Sequence, residues 1–99
     1  MPNEFTKQPG DNLDYDFKFL QWLTSNGATD TLQASTTTST VTVPAGLTAG
    51  TKQHNTTEGI VKQWLSGGTD GADYKITCQI TSTQGRVKET EITIHVREF

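Results

Sequence analysis

ADYKITCQITSTQGRVKETEITIHVR, residues 72–97, is the stretch whose reading decides the fold. Tyr74, Ile76, Cys78 and Ile80 alternate with Lys75, Thr77, Gln79 and Thr81, and Ile92, Ile94 and Val96 alternate with Thr93, His95 and Arg97. A period of two marks strands with one buried and one wetted face. Joined as a hairpin, the two strands must turn their apolar sets to the same side. Tyr74 therefore stands opposite Ile94 and Ile76 opposite Ile92, because a slip of one residue would send one set into water. That register pairs Ser82 with Arg86 and leaves Thr83-Gln84-Gly85 as a three-residue loop, with glycine where such loops need a left-handed residue.

Working outward, Leu13, Tyr15, Phe17 and Phe19 alternate with Asp14, Asp16 and Lys18 and predict another strand. The Leu20-Gln21-Trp22-Leu23 run breaks the alternation and reads as a tight turn that folds Trp22 over the sheet, followed by a loop through TSNGATD. Thr31 to Ser35 and Ser39 to Val43 read as short strands at or near an edge, the second closed by Pro44 and Gly46. Leu47 to Thr57 reads as a loop. Glu58 to Leu65 reads as a strand that is partly apolar on both faces and hence central or covered by a partner. Residues 1–12, with two of the three prolines and one large apolar side chain, are expected to be an extended arm outside the core domain of 13–99.

Six or seven short strands with Gly, Pro, Thr and Asn turns in 99 residues imply one all-β domain, an immunoglobulin-like antiparallel β-sandwich of about seven strands. Tyr74, just after the GGTDG corner, sits where such sandwiches place a tyrosine that bonds back to the corner backbone. A small closed barrel is the alternative.

Composition narrows function by exclusion. Eight basic and eleven acidic residues give a net charge of −3 without a basic stripe, so a nucleic-acid partner is not expected. Neither a leader peptide nor an apolar run long enough for a membrane span is apparent. The single cysteine, Cys78, falls on an inward position and reads as a small core residue. His54 lies in a polar loop and His95 on the wet face of the last strand, both read as solvated and too far apart to share a metal. Asp11, Asp14 and Asp16 read as a solubilising cluster rather than a calcium site, and Asp70 and Asp73 as turn residues. No catalytic set, metal site or cofactor motif converges, so no enzyme is expected. The interface candidates are Phe5 on the arm, Thr38, Thr40 and Thr42 along a polar edge that a partner strand can extend, and Trp64.

An ordered series of motifs adds a family. Trp64-Leu65-Ser66-Gly67-Gly68, the Thr69-Asp70-Gly71 corner, Tyr74-Lys75-Ile76-Thr77 and the Gly85-Arg86 hairpin resemble the C-terminal half of small all-β virion proteins of tailed bacteriophages, the fibre-tail adaptor proteins. LDYDF at Leu13 to Phe17, Trp22-Leu23 and the Thr42 to Leu47 stretch extend the resemblance to nearly the whole chain. It implies a structural protein of the virion, assembled in the host cytoplasm, at the neck or head-tail junction. Its partners would be phage structural proteins (portal, connector, tail or fibre) and further copies of itself, with no nucleic acid, membrane or cofactor. A capsid decoration protein and a carbohydrate-binding sandwich module are the rival readings.

Overall fold

Tyr74 pairs with Ile94 and Ile76 with Ile92, as the side-chain pattern requires, and the Ser82 amide donates to the Arg86 carbonyl at 2.7 Å across a loop in which Gly85 has φ of 86°. The computed structural model describes residues 4–98 and contains seven strands: β1 (Glu4–Lys7), β2 (Leu13–Lys18), β3 (Ser39–Thr42), β4 (Leu47–Asn55), β5 (Ile60–Gly67), β6 (Asp73–Thr81) and β7 (Val87–Val96). They form two sheets, in the orders β1-β7-β6-β3 and β2-β5-β4. Every pairing is antiparallel except β1 with β7. The sheets share no strand pair, so the molecule is an open immunoglobulin-like sandwich rather than a barrel.

The core fills the space between the layers. Phe17, Val61 and Leu65 come from one sheet and Ile76, Ile80, Ile92, Ile94 and Val96 from the other, all almost fully buried. Cys78 lies among them, and burial pushes its thiol up to about 12. At one corner the Thr69 amide donates to the Tyr74 hydroxyl at 3.0 Å, the bond expected of a tyrosine in that position. Gly68 sits beside it with φ of 101°, and a Cβ there would lie 2.7 Å from Val96 Cγ2. The glycine of that corner is thus required both by the backbone and by the packing.

Four expectations are corrected. Glu4–Lys7, read as part of an extended arm outside the core domain, pair in parallel with Thr93–Val96. Lys7 anchors them: it is buried, and its ammonium donates to the carbonyls of Gln8 at 2.7 Å, Pro9 at 3.3 Å and Gly67. Leu47–Asn55, read as a loop, is β4, whose register against β5 shifts between Ala49 and Lys52. That bulge resets which side chains face inward, so no single period of two spans the strand. Thr31 to Ser35 is not a strand; Ser35 starts a 3-10 turn at Thr36–Thr38, its hydroxyl accepting from the Thr37 amide, and such local Ser/Thr bonds compete with a sheet ladder. Leu20–Leu23, read as a tight turn, is one turn of α-helix, α1, though Trp22 does fold back, half-buried, against the core as expected.

Candidate functional site

The family-like motifs gather at the two ends of the sandwich, and at both they hold the fold together. At the end formed by the β6-β7 loop, Asp30 is buried and accepts hydrogen bonds from the amides of Thr31 (2.9 Å) and Gln84 (3.1 Å) and from Arg86 Nε (2.8 Å). Burial alone would raise its carboxyl, but hydrogen bonds from Ser82, Arg86, Gln84 and Thr31 outweigh it and hold the group at about 2. Arg86 also donates to the Leu23 carbonyl at 3.0 Å and lies 4.4 Å from the Trp22 ring centroid. Trp22-Leu23 and Gly85-Arg86 therefore meet around a carboxylate that the sequence reading passed over in a polar loop. The Tyr74 corner occupies the other end.

Several other titratable groups pair within the chain. His95 donates from Nδ1 to Asp73 at 2.8 Å and from Nε2 to Glu4 at 2.6 Å, and these two carboxylates hold its ring protonated above the usual histidine range. Arg97 joins them, 2.9 Å from Asp73. His54 corrects the solvated-loop reading: it lies on β4, Nδ1 pairing with the Gln33 carbonyl at 2.7 Å and Nε2 with the Ser39 hydroxyl at 2.8 Å. Asp14 and Asp16 share the Lys62 ammonium at 2.7 and 3.3 Å, so the chain's own cation fills the place between them. Among the described residues no three His, Cys, Asp or Glu side chains are grouped to hold a metal.

The interface candidates fall on three separate surfaces. Thr40 and Thr42 are exposed on the edge strand β3, facing outward beside Gln79 and Thr77, with Thr38 just ahead of them. Phe5 is on β1 at the opposite edge of the same sheet, 39% exposed, its ring edge-on to Tyr15 at 5.2 Å. Trp64 stands half-buried on the outer face of β5, in the other sheet, across from Asp14 and next to the β4 bulge. Trp22 and Trp64 do not line up as a sugar platform, because the Trp22 face is covered by Arg86. The open side between β1 and β2, a groove of about 400 Å³ lined by Phe5, Leu13, Tyr15 and Lys18 among others, was not anticipated. Leu13 is 41% exposed there, and the buried Tyr15 hydroxyl has no hydrogen-bond partner among the described residues. The alternation of Leu13, Tyr15, Phe17 and Phe19 marks a strand but does not show that this strand forms an edge.

No curated protein matches the chain. A family model does, over residues 7–95: that of the podophage GP4 fiber-tail adaptor protein gp77. The match spans both ends of the sandwich, from the anchoring Lys7 to the doubly bonded His95. This all-β chain belongs to the podophage fibre-tail adaptor family.

Proposed function

We propose that the protein is a structural virion component that joins fibre or tail to the head at the neck of the particle, in several copies, and performs no chemistry of its own. The observation that carries the reading is where the ionisable groups go. Asp30, His95, Lys7 and the Asp14/Asp16/Lys62 set are each bound to partners within the chain, in a family named for an adaptor role. What is left for function is surface. The contacts are Phe5, the Thr38, Thr40 and Thr42 edge, and Trp64; being on three surfaces, they suit a piece that touches more than one neighbour. Strand addition at the β3 edge supplies main-chain hydrogen bonds, and Trp64 a half-buried aromatic anchor.

Quantitative mass spectrometry of purified particles tests this. A neck protein is present at on the order of a dozen copies, as a cyclic ring allows. Hundreds of copies would make it a capsid decoration protein, and absence from the particle removes the reading altogether.

A further inference from the structure

The β2 edge carries an inference that does not depend on the adaptor reading. The Phe19 amide donates to the Gly59 carbonyl at 2.9 Å, continuing the β2-β5 register. In an antiparallel ladder such bonds recur at every second residue. Phe17, Tyr15 and Leu13 thus bond toward β5, while the N–H and C=O groups of Asp14, Asp16 and Lys18 point away from it. None of these six groups bonds to another described residue. Four strands form sheet edges in this molecule. β1 and β3 have four residues each, and β4 is interrupted by its bulge. β2, with six residues and no shift, is the longest unbroken edge among them. Its flank is apolar, since Phe5 and Leu13 are exposed beside it. It is also the edge where the four-stranded sheet of an immunoglobulin domain carries one more strand.

We infer that this edge pairs with the same edge of a second copy, about a two-fold axis through Asp16, to make a continuous six-stranded sheet. The sequence is self-complementary in that register. Residues whose backbone groups point outward must pair with each other, and the axis through Asp16 sets Asp14 opposite Lys18 of the second copy and Lys18 opposite its Asp14. Two opposite-charge pairs form on the outer face, where directly opposed charges act across strands. On the inner face Tyr15 stands opposite Phe17 and Leu13 opposite Phe19, and of these it is Leu13, 41% exposed, that gains cover. The one unfavourable contact is Asp16 against its own copy, tempered by Lys62 at 3.3 Å on each side. An isologous contact of this kind closes at two copies.

Sedimentation of the full chain from about 1 μM to about 1 mM, with exchange rates of the Asp14, Asp16 and Lys18 amides, tests the inference. A monomer–dimer equilibrium is expected, with those amides slowed in the dimer. Lys18→Glu sets like charges opposite each other twice and should weaken the dimer at least about tenfold. Asp14→Lys combined with Lys18→Glu restores the attraction and should recover most of it. Asp16→Asn removes the repulsion on the axis and should tighten the dimer, a gain that general damage to the fold would not produce. Thermal melts of each variant monitor folding. A chain that stays monomeric throughout, or a dimer indifferent to both the reversal and its rescue, overturns the inference. So does protection of these amides only after another virion protein is added, which would assign the edge to a foreign strand.

Discussion

Arg86 donates from Nε to Asp30, a carboxylate shielded from solvent, at 2.8 Å, and the same guanidinium lies over Trp22. Three segments far apart in sequence, α1, the loop before β3 and the β6-β7 hairpin, are thereby tied at one end of the sandwich. Asp30→Asn is expected to lower stability at neutral pH. The folded carboxyl is depressed, so its contribution is present above the ordinary aspartate range, near 4, and is lost as pH falls toward about 2. Denaturant melts of wild type and variant should therefore differ at neutral pH and converge at the acid end; parallel curves down to that end would contradict the assignment.

His95 carries the opposite sign. Its folded value is raised by Asp73 and Glu4, so its contribution is complete below the free histidine value of about 6.5 and is lost as pH rises through the raised value. Exchange of the β1 amides should quicken across that window, because Glu4 then faces a ring that can donate to only one of its two carboxylates. In His95→Gln the pH dependence should flatten. A β1 that exchanges at a constant intrinsic-corrected rate from about pH 5 to about pH 9 would rule the clamp out.

Gly68→Ala should destabilise by about 2 kcal/mol or more, since it combines a left-handed backbone with a contact on Val96 that cannot be relieved without moving the core. Gly10→Ala, at a position with nothing within reach of a new Cβ, is the matched control. Equal melting temperatures for the two variants would show that the corner yields.

Cys78 should resist maleimide in the folded protein and react only through unfolding, as burial holds the thiol at about 12. Because a raised acid contributes stability only below its unfolded value, folding should weaken as pH climbs past about 9. Labelling as fast as a free thiol at neutral pH would contradict the buried placement.

The hairpin was legible to the residue because both of its strands keep a strict period and its loop has a glycine where the geometry demands one. Tyr74 and Cys78 followed from the same alternation. β4 was hidden by its bulge, which shifts the phase between Ala49 and Lys52 so that neither half shows a pattern long enough to read. Lys7 was hidden for another reason: a lysine in a polar segment signals solvent, and only the three carbonyls at the corner of the fold make its burial possible. His54 and Asp30 show the same limit, since the groups that satisfy them, Gln33 and Ser39 for one and Gln84 and Arg86 for the other, are brought near only by the chain's return. The separation of the candidate contacts Thr40, Thr42, Phe5 and Trp64 onto three surfaces depends on strand order, which side-chain periodicity does not encode.

Because β1 runs parallel to β7, tension applied between the start of the first strand and the end of the last would pull the two strands lengthwise past each other. All the hydrogen bonds joining Glu4–Lys7 to Thr93–Val96 then bear the force together instead of parting one at a time, with the Lys7 ammonium as a peg at the trailing end of β1. Single-molecule pulling should find a rupture force that drops sharply in Lys7→Met. For the joining role proposed above, this shear geometry would count for more than added equilibrium stability.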